Sequence, residues 1–221
     1  MGEWIKLKAS DGVEISAWRE APEGRPRGAV VVNQEIFGVN HHIRSVAHRF
    51  AASGYLTIAP NLFDRLEPGL DIGYDEASRT KAFALMGKFD RVQAVKDIAT
   101  AVEAARNVGK VGVVGFCLGG ALAWGASANV PGVGAAVSYY GNMIAMRDLT
   151  PKAPTLLHFG EHDAHIPVDQ VREIEKQHPE AKFYFYPADH GFGCDERDAF
   201  DAESSTIAWG RTIEFLAKHL A

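Results

Sequence analysis

Hydrophobic and polar positions change period several times along the chain, and each change marks an element. Trp4-Ile5-Lys6-Leu7-Lys8 and Val13-Glu14-Ile15-Ser16-Ala17-Trp18 alternate with period two on either side of Ser10-Asp11-Gly12. Alternation around an Asp-Gly turn predicts an antiparallel hairpin. Residues 21–28, rich in Pro, Gly and Arg, read as a solvated loop. Residues 29–33 form a continuous apolar run and predict an inner strand covered on both faces. Residues 41–53 then place Ile43, Val46, Ala47 and Phe50 on one helical face and stop at Gly54. The next strand is expected at 55–59, with Pro60 helping to end it.

Residues 61–89 break this rhythm. Pro68, Gly69 and Gly73 mix with several acids and short helical fragments, as expected of an excursion above a sheet. A helical stripe returns through Val92, Val95, Ala99 and Val102. Further strands are predicted at 110–115, 134–139, 154–159 and 182–186, with helices over 118–128, near 168–177 and over 204–220. Strands alternating with helices imply an α/β protein, a mostly parallel doubly wound sheet with the hairpin as its antiparallel edge. No repeat, low-complexity tract or linker divides residues 1–221, which read as a single domain. In such sheets ligands bind beyond the carboxyl ends of the strands, so the chemistry is sought just after each strand.

Composition narrows the partners. The chain has 221 residues, 47% hydrophobic and 23% charged, an ordinary globular balance. A formal charge of −5 argues against nucleic acid or an anionic membrane as partner. No apolar run has membrane-spanning length, and the first ten residues alternate like a strand instead of forming a signal peptide. Cys117 and Cys194 are the only cysteines, too few for a disulfide framework. The expectation is a cytoplasmic enzyme acting on a small molecule.

Cys117 stands at the point where the apolar run ending in Gly115 meets the small, apolar helix beginning at Leu118. Gly115-Phe116-Cys117-Leu118-Gly119 is a G-x-C-x-G pattern, the nucleophile elbow of an α/β-hydrolase with sulfur in place of the usual serine oxygen. A thiol at a helix N-terminus feels the positive end of the dipole, which favours the thiolate. A buried structural cysteine in a Gly-rich turn is the alternative. A phosphate loop is weaker, because neither G-x-G-x-x-G nor a Lys-Ser/Thr ending is present.

Two more strands end in polar residues: 154–159 runs into Glu161-His162-Asp163, and 182–186 into Asp189-His190-Gly191. Cys117, Asp163 and His190 therefore arrive in the order nucleophile, acid, histidine, each after an apolar strand. His190 would take the thiol proton and return it to the leaving group, with Asp163 holding the imidazole tautomer. Taken alone, Asp163 reads equally as a turn residue and His190 as a loop histidine. His162, Asp163 and His165 suggest a metal cluster only weakly, for want of a further ligand at suitable spacing; no metal or other cofactor is expected.

The stretch Gln34-Glu35-Ile36-Phe37-Gly38-Val39-Asn40, the Gly-Phe-Cys-Leu-Gly-Gly run and the His-Gly-Phe after the last strand together resemble the dienelactone hydrolase family, over almost the entire chain. The resemblance implies an α/β-hydrolase fold and a triad of Cys117, Asp163 and His190. It implies that Glu35 interacts with the resting thiol until a substrate carboxylate disturbs that contact. It also implies an oxyanion hole from the N–H groups of Ile36 and Leu118. From chemistry alone a cap or a buried ion-pair partner is the alternative reading of Glu35. Of the family's two carboxylate-binding arginines, Arg79 matches the first, whereas Cys194 stands at the second, with Arg197 about one helical turn further on. Phe83 and Met86 replace a tyrosine and a tryptophan, and with Phe37 and Arg79 complete the expected substrate-binding set.

The reaction implied is cysteine-dependent opening of a small lactone such as dienelactone through an acyl-enzyme thioester. A broad-specificity carboxylesterase or thioesterase is the alternative, and a redox-responsive thiol protein on a hydrolase scaffold a more distant one. A dehalogenase on this fold would place Asp at the elbow, so Cys117 argues against it.

Overall fold

The apolar runs assemble into one eight-stranded sheet in the computed structural model, which describes residues 2–220. The hairpin strands are β1 (Glu3–Lys8) and β2 (Glu14–Glu20), paired antiparallel with Leu7 opposite Ile15. Next come β3 (Ala29–Asn33), helix α1 (His41–Ala52) and β4 (Leu56–Pro60). Helices α2 (Glu76–Met86) and α3 (Arg91–Ala105) precede β5 (Val111–Phe116) and α4 (Leu118–Asn129). The chain closes with β6 (Val133–Tyr139), β7 (Thr155–Gly160), α5 (Val168–Gln177), β8 (Lys182–Tyr186) and α6 (Ala202–Leu220).

The strand order is β1-β2-β4-β3-β5-β6-β7-β8, parallel from β4 to β8 and antiparallel at the β1–β2 and β2–β4 pairs. Alternation along each inner strand feeds two cores. Val31 and Val113 face α3 and α4, while Val30, Val32 and Val114 face α1 and α6. A third cluster seats Val171 and Ile174 of α5 against Leu157, Phe159 and the fully buried Trp124. Both faces are covered, which is why the inner strands read as continuous apolar runs and not as alternating ones.

One crevice follows from this order. The chain leaves β3 toward β4 on one side and resumes at β5 on the other, so the β3–β5 boundary is a switch point. The loops after these two strands diverge there and leave room for a ligand. Glu35 and Ile36 follow β3; Cys117 and Leu118 follow β5.

The segment between β4 and α3 is more ordered than its mixed composition suggests. Asp75 caps α2, its carboxylate accepting the Ser78 N–H at 3.0 Å, and the helix runs eleven residues. Only Ala82 of α2 is buried, so it lacks the apolar stripe that betrays other helices. The stretch before α2 is stitched to the loop after β3. The Ile72 N–H donates to the Phe37 carbonyl at 3.1 Å, Asn40 Nδ2 donates to the Ile72 carbonyl at 3.2 Å, and Gly38 bridges Asp71. This stitching brings Tyr74 to Glu35.

Candidate active site

The site is built on a strained turn. Cys117 sits between β5 and α4 at φ 52°, ψ −113°, a conformation that a side chain adopts only when the surroundings enforce it. Close backbone packing enforces it here. A Cβ on Gly115 would lie 1.9 Å from the Gly119 carbonyl oxygen, and one on Gly119 only 2.4 Å from that of Asn33. Only glycine fits at either position. The Gly119 N–H donates to the Gln34 carbonyl at 3.0 Å, fixing the loop after β3 against the start of α4. Ile36 and Leu118 both line the cavity beside Cys117. Among the described residues neither N–H has an intramolecular acceptor.

His190, from the loop after β8, places Nε2 3.2 Å from Cys117 Sγ. Its Nδ1 lies 2.7 Å from Oδ2 of Asp163, which follows β7. The other Asp163 oxygen accepts the N–H groups of His165 (2.8 Å) and Ile166 (3.0 Å), so the carboxylate is held from both sides. Burial works against a charged His190. The hydrogen bonds to Asp163 and Cys117, and the charges of both, outweigh it and push the imidazole up to about 10. The imidazole thus bridges the Asp163 carboxyl and the Cys117 sulfur, one ring nitrogen to each.

Glu35 lies behind this line, with its side chain 1% exposed. The Tyr74 hydroxyl donates to one oxygen at 2.8 Å and Arg197 Nη1 to the other at 3.2 Å. No hydrogen bond joins Glu35 to Cys117; in this arrangement the thiol turns to His190. Burial and the Glu35 charge push the Tyr74 hydroxyl well above its usual range, and the same two causes push the Cys194 thiol up to about 12. Cys194 is fully buried and off the cavity wall. Arg197 turns inward in its stead, resting on Gly191, whose φ of 91° and missing Cβ leave space for the guanidinium.

The resulting cavity of about 530 Å³ is lined by Ile36, Phe37, Arg79, Phe83, Met86, Cys117, Leu118, His190 and Arg197. The positions named from sequence therefore meet there, apart from Glu35 and Asp163, which sit behind the wall. A second chamber of about 570 Å³ shares Phe37, Arg79 and Arg197 with it.

The structure adds residues that sequence reasoning missed. Arg91 and Asn142 also line this cavity, as does His165, which the sequence suggested only as part of a weak metal cluster. Tyr140 directly follows β6 with φ 38°, its ring edge-on to His190 at 5.2 Å and its buried hydroxyl without a partner. Its place just beyond a strand end was a usable signal. No group of three or more His, Cys, Asp or Glu suited to a metal ion occurs among the described residues.

Comparison with known proteins shows the family. The model described as the dienelactone hydrolase family matches residues 15–220. Carboxymethylenebutenolidase 1 of Cupriavidus pinatubonensis is 32% identical, covering 98% of this chain and 97% of its own. The carboxymethylenebutenolidase of Pseudomonas putida is 33% identical, covering 97% and 96%. A crystal structure from Klebsiella pneumoniae, provisionally named a dienelactone hydrolase, superposes with a TM-score of 0.85 at 29% identity, covering 99% of both chains.

Proposed function

Because this chain belongs to the dienelactone hydrolase family, we propose that it opens a small lactone or ester by covalent cysteine catalysis, with dienelactone the named candidate. That it is a dienelactone hydrolase-like α/β-hydrolase follows from the family match and the curated relatives. The observation that supports the covalent step is the line Cys117–His190–Asp163, with contacts of 3.2 and 2.7 Å at a strained elbow.

In this reading the Cys117 thiolate attacks the carbonyl carbon, forming a C–S bond while the carbonyl π electrons move onto oxygen. The N–H groups of Ile36 and Leu118 are the donors available to that oxyanion. Collapse breaks the C–O bond, and His190 gives its proton to the departing oxygen, which in a lactone stays tethered to the acyl group. Water then attacks the thioester, His190 takes its proton, and the thiol leaves as the acid forms. Asp163 stabilises the imidazolium throughout.

Arg79 and Arg197 supply the anion site at the wall shared by the two chambers. Arg197 also holds Glu35, so an arriving carboxylate competes with Glu35 for one guanidinium and frees the Glu35 charge close to the catalytic line.

Trapping tests the covalent step. During turnover of an aryl ester, mass spectrometry should find one acyl group on the wild-type chain, located on Cys117. Cys117→Ala should lose on the order of 10³-fold or more of the rate while remaining folded. A folded Ala variant that keeps more than about a tenth of the turnover ends the covalent mechanism.

A further inference from the structure

The cavity wall carries more positive charge than a single carboxylate requires. Three guanidinium groups reach it, Arg79, Arg91 and Arg197, and none of its lining residues is acidic. Arg197 is partly compensated by Glu35, but among the described residues Arg79 and Arg91 form no ion pair. This wall belongs to a chain with a formal charge of −5. The adjoining chamber, which shares Arg79 and Arg197, is lined by Asp75, Glu196 and Asp198, so the cations stand unopposed only on the side that holds Cys117, and anions concentrate there.

The arginines of α2 and α3 also bracket two apolar lining residues along the chain. Arg79, Phe83 and Met86 stand at i, i+4 and i+7 of α2, one stripe of the helix, and all three line the cavity. Arg79 lies in the first turn and Met86 is the last residue, an axial separation of about 10 Å at 1.5 Å per residue. Arg91, the first residue of α3, follows the end of α2 after four residues and lines the same cavity. Arg79 lines both chambers, whereas Arg91 lines only the catalytic one. In chain order this stretch of the lining therefore reads cation, apolar, apolar, cation. Phe83 is 64% exposed, a large ring left uncovered where it faces the cavity.

We propose that the cavity is built for a dianionic substrate: an ester or lactone with an anionic group at each end and an apolar middle. Arg79 with Arg197 takes one end and Arg91 the other, while Phe83 and Met86 cover the span between them. The inference rests on the hydrolase reading and adds Arg91 as a specificity-determining residue. A cavity of about 530 Å³ leaves room for such a two-ended acid around the scissile carbonyl.

Four aryl esters test it: phenyl acetate, phenyl hydrogen glutarate, 4-carboxyphenyl acetate and 4-carboxyphenyl hydrogen glutarate. They carry no carboxylate, one on the acyl side, one on the leaving group, and one on each. The wild type should give its highest kcat/KM with the dianion. Arg91→Gln should cost the dianion at least about tenfold more than the neutral ester, a difference one charge-assisted hydrogen bond supplies. Arg79→Gln should do the same, and the two variants should weaken opposite monoanions. Azelate, a straight-chain dicarboxylate, should inhibit the wild type competitively and lose potency in both variants, which reads binding without turnover.

Equal losses on neutral and dianionic esters from Arg91→Gln overturn the inference, as does hydrolysis of phenyl acetate with no preference for the dianion. In both cases the hydrolase reading stands. Failure to hydrolyse any of the four esters overturns both.

Discussion

At the scale of single residues, the chemistry turns on how one proton is shared. Burial alone would keep His190 neutral, but two hydrogen bonds and two neighbouring charges push it up to about 10. In the proposed mechanism this raised value keeps the proton on the imidazole through neutral pH. For phenyl acetate, kcat/KM should hold into the alkaline range and fall as pH rises through about 10, when the leaving group loses its donor. Asp163→Asn should pull that limb toward the ordinary histidine value of about 6.5 and slow turnover on the order of 10²–10⁴-fold. A wild-type alkaline limb below about pH 8 would rule out the ion pair. The same shift bears on stability. His190 binds its proton more tightly in the folded chain, so its contribution is fully present below about 6.5 and fades as pH rises toward 10. These residues were legible in the sequence because each follows an apolar strand. Tyr74 was not, and Arg197 was named only as a neighbour of position 194, since what matters about both is which side of a loop faces Glu35, and local pattern does not encode that.

At the scale of elements, the elbow is the least forgiving part. A Cβ on Gly119 would press the carbonyls of Asn33 and Gln34, at 2.4 and 2.5 Å. These backbone atoms, at the end of β3 and in the loop the Gly119 N–H holds, cannot swing away as a side-chain tip can. Gly119→Ala should cost about 1–3 kcal/mol through overpacking, roughly 2–12 °C in Tm for a chain of this size. It should lower kcat even in the folded fraction, because the displaced loop carries Ile36. A variant with wild-type Tm and kcat would show that the loop has room to yield. Strands and buried helices fell within a residue or two of their expected limits, since each buries a face and so writes a period into the sequence. Helix α6 begins at Ala202, two residues before the expected Ser204, because Asp201 accepts the Ser204 N–H at 2.7 Å and starts the helix early. Helix α2 was blurred into short fragments because it buries only Ala82. Its stripe is written by what lines a cavity, and Arg79 within it looks polar to any hydrophobic count.

At the scale of the whole molecule, class and connectivity were readable, but the order of strands across the sheet was not, because pairing between distant strands leaves no local period. The same holds for the ion-pair network that ties three remote segments together. Arg65, in the excursion after β4, grips Asp97 of α3 with two donors, Nε and Nη2, each at 2.7 Å, and reaches Asp11 in the hairpin turn at 2.8 Å. Gln93 Nε2 adds a donor to Asp97 at 3.2 Å. The Asp97 side chain is 1% exposed, that of Arg65 21% and that of Asp11 43%. These exposures set a ranking. Removing the partner of a buried carboxylate leaves an uncompensated charge, at a cost of about 3–5 kcal/mol, so Arg65→Met should lower Tm by roughly 6–20 °C. Losing the exposed Asp11 by Asp11→Ala should shift Tm by a small fraction of that, since exposed pairs are screened by water. The double variant Arg65→Met with Asp97→Leu should regain most of the loss, because the buried charge is gone together with its partner and apolar side chains replace both. Thermal unfolding followed by circular dichroism at pH 7 checks all three. If the double variant is as unstable as Arg65→Met alone, the cost lies in lost packing between the excursion and α3 and not in a stranded charge.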